Sequence, residues 1–182
     1  KDMHIDNNEL QRVTLEGGLL VGSDSGGSIY VAGTTAAASN NLADIVSLSA
    51  AGDDHQVAFE RAGSTFNWWS AQADNGVVVE ADATTDAGGL YLDGDYENSS
   101  TEDGTNTVRF ADGRTVNAKT VLTLEASTAQ IENAGTLTLN AGTGVVLLDD
   151  VVARYSRTAL VINADYKTAG DGTLTVWTGK TV

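Results

Sequence analysis

Short apolar–polar alternations recur along almost the whole chain, and each breaks off at Gly, Asn, Asp or Ala-Gly. Gly27-Ser28-Ile29-Tyr30-Val31, Ile45-Val46-Ser47-Leu48-Ser49 and Thr120-Val121-Leu122-Thr123-Leu124 show the pattern. So do Gly135-Thr136-Leu137-Thr138-Leu139-Asn140 and Thr173-Leu174-Thr175-Val176-Trp177. A period of two puts alternate side chains on opposite faces of a strand. Thr and Val dominate, and their branched Cβ favours the extended backbone. The chain has no proline among 182 residues, as suits a backbone whose N–H groups are nearly all needed in ladders. Helical turns are expected at only two places, Asp6 to Arg12 and Thr34 to Asp44, with Asp6 or Asn7 as a cap for the first. The fold class is therefore all-β.

The alternations repeat in a larger unit. Leu90-Tyr91-Leu92-Asp93-Gly94-Asp95-Tyr96 aligns without a gap on Leu160-Val161-Ile162-Asn163-Ala164-Asp165-Tyr166. Asp103-Gly104-Thr105 then meets Asp171-Gly172-Thr173, and Gly113-Arg114-Thr115-Val116 meets Gly179-Lys180-Thr181-Val182. A looser copy runs from Ile45 to Phe66, giving repeat units at about 45–66, 89–116 and 159–182 within one elongated domain, 1–182. Repeated short strands with this punctuation predict a parallel β-solenoid, or β-helix. Coils of about 20 residues would give roughly nine of them, a rod on the order of 40 Å at about 4.8 Å per stacked strand. A β-sandwich or jelly roll is the alternative fold.

Composition narrows the function. Ten basic residues against 25 acidic ones give a net charge of -15, which opposes nucleic-acid backbones and anionic membranes as partners. There is no cysteine, so disulfides and thiolate metal sites are out of reach. His4 and His55 are the only histidines, too few for a His-rich metal centre. No apolar run approaches the ~20 residues of a membrane helix. The chain opens on Lys1, as expected of a processed product or of a segment of something longer.

Several stretches carry a resemblance. Asp2 to Ile5, Glu9 to Thr14, Gly18 to Ser23 and Gly26 to Val31 resemble a recurring segment of giant bacterial surface proteins of the filamentous-haemagglutinin type. Leu122 to Ala126, Leu137 to Gly142, Leu174 to Val176 and Lys180 to Val182 are similar to their repeats. The resemblance implies a right-handed parallel β-helix, secretion, and a role in adhesion or surface structure, with no catalytic residues. The family's secretion domain has no counterpart here.

Few residues look chemical. Asp93, Asp95 and Glu97 alternate in a long loop that Glu102 and Asp103 could close. Calcium takes six to eight oxygens and would suit such a set. Against this, the EF-hand pattern fails, with no Gly at the sixth position and no Glu at the twelfth. The aligned copy also replaces Asp93 by Asn163 and Glu97 by Lys167, so a solvated turn is the competing reading. In the Trp68-Trp69 pair, one indole should face the core and the other solvent, where it could bind protein or glycan. Asp149-Asp150 is a carboxylate pair whose members are expected to point to opposite faces, which argues against acid–base chemistry. Asn98-Ser99-Ser100 fits a glycosylation triplet. Neither G-x-S-x-G nor S-x-x-K is present, and His4 and His55 read as turn residues.

The expectation is a non-catalytic, extracellular or cell-surface structural and adhesive repeat module. It would stack end to end through its terminal strand, with Trp177 and Val182 in the joint, on other copies or neighbouring repeats. Two other readings stand beside it. One is a β-sandwich filament subunit that lends a terminal strand, with calcium between subunits. The other is a carbohydrate-binding module using Trp68 or Trp69.

Overall fold

The computed structural model describes residues 3–99, 104–167 and 170–182. The chain opens with a helical turn, α1 (Asn7–Leu10), held by a reciprocal capping box between Asp6 and Glu9. The first coil follows as β1 (Leu19–Ser23), β2 (Ile29–Val31) and a second short helix, α2 (Ala36–Ser39), capped by Thr35. Every later coil is made of three strands. The second holds β3 (Ile45–Ala50), β4 (Val57–Phe59) and β5 (Ser64–Phe66). The third holds β6 (Trp68–Ala73), β7 (Val77–Val79) and β8 (Ala83–Thr85). The fourth holds β9 (Leu90–Asp93), β10 (Val108–Phe110) and β11 (Arg114–Ala118). The fifth holds β12 (Val121–Glu125), β13 (Ile131–Asn133) and β14 (Leu137–Ala141). The sixth holds β15 (Gly144–Leu147), β16 (Val151–Ala153) and β17 (Leu160–Asn163), and β18 (Thr173–Val176) begins another.

Strands that are neighbours in space are never neighbours in sequence. The first sheet runs β1-β3-β6-β9-β12-β15-β18, the second β2-β4-β7-β10-β13-β16, and the third β5-β8-β11-β14-β17. Every pairing among these strands is parallel. The molecule is a parallel β-solenoid of about six turns. The β-sandwich alternative falls, because a sandwich is built on antiparallel pairs.

Six turns replace the expected nine, for two reasons. A plain coil takes 19 to 23 residues, as the registers Ser64–Ala83 and Ile45–Trp68 show. Long insertions then lengthen particular coils, so that Leu90 stacks on Leu122 and Val145 on Leu174. Six steps of about 4.8 Å make the first sheet about 29 Å deep. Residues 45–66 and 89–116 trace whole coils in the same phase, whereas 159–182 begins on the third sheet.

In-register stacking sorts the side chains. One inward row of the first sheet reads Leu48, Ala71, Leu92, Leu124, Leu147. The second sheet faces it with Val57, Val77, Val108, Ile131 and Val151, and the third adds Ala83, Val116 and Leu139. All are buried in one continuous core. The first coil is the exception on the third-sheet side, where α2 takes a strand's place. There Ser39 Oγ donates to Thr65 O at 2.9 Å and Thr65 N to Thr34 O at 2.8 Å, which satisfies the edge of β5. Asn7 holds α1 against this unit through Gly33 O and Thr35 N. The two expected helical turns are thus both present.

Leu124 is fully buried in the middle of an inward row. Leu124→Ala is expected to lower stability by about 2–5 kcal/mol, read from the urea unfolding midpoint.

Candidate functional site

The acidic loop leaves the first sheet at β9 and returns to the second at β10. Asp95 is fully buried. Its Oδ2 accepts from Thr128 N at 2.6 Å and its Oδ1 from Ser99 N at 3.3 Å. Asp93 is buried too, with Oδ1 accepting from Asp95 N at 3.1 Å and Oδ2 from Gln72 Nε2 at 3.4 Å. Both carboxylates are thus engaged by protein donors rather than turned together toward an ion. Glu97 is exposed, and Glu102 and Asp103 lie outside the described residues. Among the described residues no group of three His, Asp or Glu converges as a cage for a metal.

Asp93 stands next to Glu125 in the register of β9 and β12. Between them the Tyr91 hydroxyl donates to Glu125 Oε2 at 2.5 Å and lies 3.2 Å from Asp93 Oδ2. One proton serves two carboxylates. Burial pushes the Asp93 carboxyl above the usual range, helped by the Glu125 charge and opposed by the Asp95 N–H. Burial, and then its bond to Glu125, raises the Tyr91 hydroxyl as well.

Asp95 is one of a set. Where the chain turns from one sheet to the next, a strand ladder cannot continue and amides are left over. Aspartates take them up across adjacent coils. Asp74 accepts from Asp54 N at 2.9 Å, Asp82 from Thr115 N at 2.9 Å and Asp112 from Thr136 N at 2.7 Å. Asp149 accepts from Ala126 N at 2.7 Å. Asp150 accepts from Thr181 N at 2.7 Å and from its hydroxyl at 2.8 Å, and those bonds hold its carboxyl below the usual range. Asp149 also pairs with Lys180 at 2.6 Å, which raises the ammonium. The pair Asp149-Asp150 therefore sits at a corner and not on a strand, and each member is bound to a different part of the next coil or the last.

The tryptophans divide as their alternation requires. Trp69 is 0% exposed, tilted against Phe59 at 4.5 Å and Phe66 at 6.1 Å, and its Nε1 donates to Thr84 O. A buried indole touches no ligand, so Trp69 is removed from the binding candidates. Trp68 is 45% exposed on the outer face of the first sheet. Its ring rests on Gly88, where a Cβ would come within 2.7 Å of it. Trp177 and Val182 are both exposed on the last coil. Trp177 lines an open trough of about 530 Å³ with Glu125, Leu148, Asp149 and Lys180. His4 is exposed, and His55 Nδ1 lies 3.4 Å from Ser28 Oγ just after a turn. Asn98 is exposed at a positive φ of 58°.

A second concavity, of about 150 Å³, lies on the outer face of the third sheet between Thr84, Asn117, Lys119, Tyr166 and Lys167. These residues were not singled out as a site in the sequence. The signal for its floor was the triplet Val116-Asn117-Ala118, which returns as Leu139-Asn140-Ala141 and Ile162-Asn163-Ala164.

No family model, curated protein or solved structure matches the chain.

The raised Asp93 carboxyl has a definite consequence for stability. Below the ordinary carboxylate pKa, folded and unfolded chains are both protonated. As pH rises past it the unfolded chain ionises first, and stability is lost through the window up to the folded pKa. Asp93→Asn keeps an acceptor for Asp95 N and removes that loss. Relative to wild type, the variant should gain stability as pH goes from about 4 to 7, read from urea midpoints; an unchanged difference would show that Asp93 carries no such cost.

Proposed function

We propose that this chain is a non-catalytic structural and adhesive module of the extracellular or cell-surface kind, a length of solenoid rod that joins to further coils at its C-terminal face. One observation carries the reading. On the last coil the inward row stays open. Leu160 and Ile162 stack on the fully buried Leu137 and Leu139, and Leu174 and Val176 on the fully buried Val145 and Leu147. Leu174 is nonetheless 49% exposed, and the other three are only partly covered. A core layer in register with nothing over it is a surface shaped for one more coil, of the same polypeptide or of a neighbouring subunit.

The opposite end differs in kind. There α2 and α1 stand over the third sheet, and Leu10 is drawn into the core cluster. On the first two sheets of that end Leu19, Val21 and Ile29 are also only partly covered, so the C-terminal face, with Leu174 half exposed, is the barer of the two ends. The acidic corners, which serve the backbone, and the alternating polar outer rows support a scaffold rather than an enzyme. Likeness to the repeats of filamentous-haemagglutinin-type proteins supports the surface location.

Leu174 is exposed enough to be replaced without unfolding the chain. In sedimentation velocity the wild type is expected to grow into larger species as concentration rises, while Leu174→Glu stays monomeric with an unchanged circular dichroism spectrum. A wild type that remains a single small species up to millimolar concentration overturns end stacking.

A further inference from the structure

Three basic side chains of this acidic protein are neutralised by a carboxylate close by. Lys180 pairs with Asp149, Arg114 with Asp82 and Arg61 with Glu60. Lys119 and Lys167 are among those that make no ion pair among the described residues, and both line the 150 Å³ concavity of the third sheet, which no carboxylate lines. The neighbouring Asp165 is engaged by Gly170 N–H.

The concavity is built by the stacking of coils. Thr84, Asn117, Asn140 and Asn163 form an outward row through β8, β11, β14 and β17. Asn140 Nδ2 donates to Asn117 Oδ1 at 2.9 Å, which fixes the Asn117 amide. Asn117 Nδ2 lies 3.5 Å from Thr84 Oγ1, at the limit of a hydrogen bond, so it retains donor capacity. Tyr166 N donates to Ala141 O at 2.8 Å and pins the following segment to the fifth coil. The Tyr166 ring lines the concavity together with Asn117 and Thr84. Lys167 Nζ lies 5.8 Å from the centre of that ring. Lys119 also lines it, its backbone N–H held by Thr85 Oγ1 at 2.9 Å.

We propose that this concavity binds one acidic sugar residue, a ring that carries a carboxylate or a sulfate. The two lysines of the lining supply the positive charge for the anion. The half-exposed Tyr166 ring offers an apolar face to the C–H face of the sugar. The Asn117 amide and the Thr84 hydroxyl reach its hydroxyls, and few convergent polar groups on a shaped floor are what a small-ligand site needs. A bare anion would use the lysines alone and leave Tyr166 and Asn117 idle. A long polyanion would meet the chain's net charge of -15, so a single acidic residue at a chain end or branch is favoured. This adds a ligand to the proposed rod and does not depend on how its ends join.

The test is isothermal titration of the intact chain with uronate-containing and sulfated disaccharides, with their neutral counterparts, and with inorganic sulfate. The acidic disaccharides are expected to bind about tenfold or more tighter than either control, and Lys119→Gln or Lys167→Gln to weaken them roughly tenfold. Tyr166→Ala should weaken the saccharides but leave inorganic sulfate unchanged. All three side chains are exposed, so thermal unfolding should not move. No binding of acidic saccharide at millimolar concentration overturns the proposal. So does sulfate binding as tightly as the saccharides, which would leave a plain anion site, and so does full affinity in the Lys119→Gln/Lys167→Gln double variant. Sedimentation of the same variants reports separately on the rod.

Discussion

Parallel backbone pairing between successive coils is the interaction on which everything else in this molecule rests. Each inner strand gives and receives its hydrogen bonds above and below, never from its sequence neighbours. The pairing costs loop closure on every coil, but a plain coil is short and the cost grows only slowly with length. Register then brings like onto like. Leu92 finds Leu124, Leu124 finds Leu147, and Asn117 finds Asn140. Because alternation has a period of two, a slip of one residue would turn a whole aliphatic row outward. The inward rows therefore hold the register that the backbone bonds alone would leave free to slide.

The corners explain the charge. A three-sided coil must leave its ladder at each bend, and the amides released there need acceptors. Asp supplies a short, strong one, and six aspartates do this between adjacent coils. Much of the acidity that suggests a cation site is thus backbone chemistry. It has a cost where two carboxylates fall in one row, as Asp93 and Glu125 do. It also sets the background against which a concavity lined by Lys119 and Lys167 and by no carboxylate stands out.

Strands and both helical turns were legible in the letters, because alternation and Asx or Thr caps are local signals. Phase was harder. The likeness of Leu90–Tyr96 to Leu160–Tyr166 is real, yet Leu90 lies in the first sheet and Leu160 in the third. Three sheets of similar strands, each ending in a turn with Asp, look alike one strand apart. The triplets at Asn117, Asn140 and Asn163 keep the true spacing, and they mark a floor rather than a turn. The fate of Asp95 was out of reach for another reason. Its partner Thr128 is 33 residues away on the next coil, and nothing local distinguishes a buried corner carboxylate from a solvated one.

The long insertion of the fourth coil shows how such a fold accepts change. Its two ends lie close together and each is bonded to an adjacent coil. Gly94 N donates to Glu125 O at 3.0 Å, and Thr107 O accepts from Val77 N at 2.9 Å. A Cβ on Gly94 would lie 2.5 Å from the Thr107 carbonyl carbon, so only glycine lets the two ends pass this closely. Within the insertion, Asn75 Oδ1 takes both the N–H and the hydroxyl of Thr105, and Ser99 O accepts from Asn106 Nδ2 at 2.7 Å. The ladder therefore passes from β9 to β10 as it does in coils without an insertion, and β10 keeps its register with both β7 and β13. Length is absorbed at a corner and the stack does not register it. The same logic places Tyr166 and Lys167, which belong to a turn after the sixth coil, over the outer row of coils laid down earlier. In a solenoid the core is specified by neighbours in the stack. The surface is free to be built from turns that lean across it, and that is where specificity for a ligand can arise without disturbing the rod.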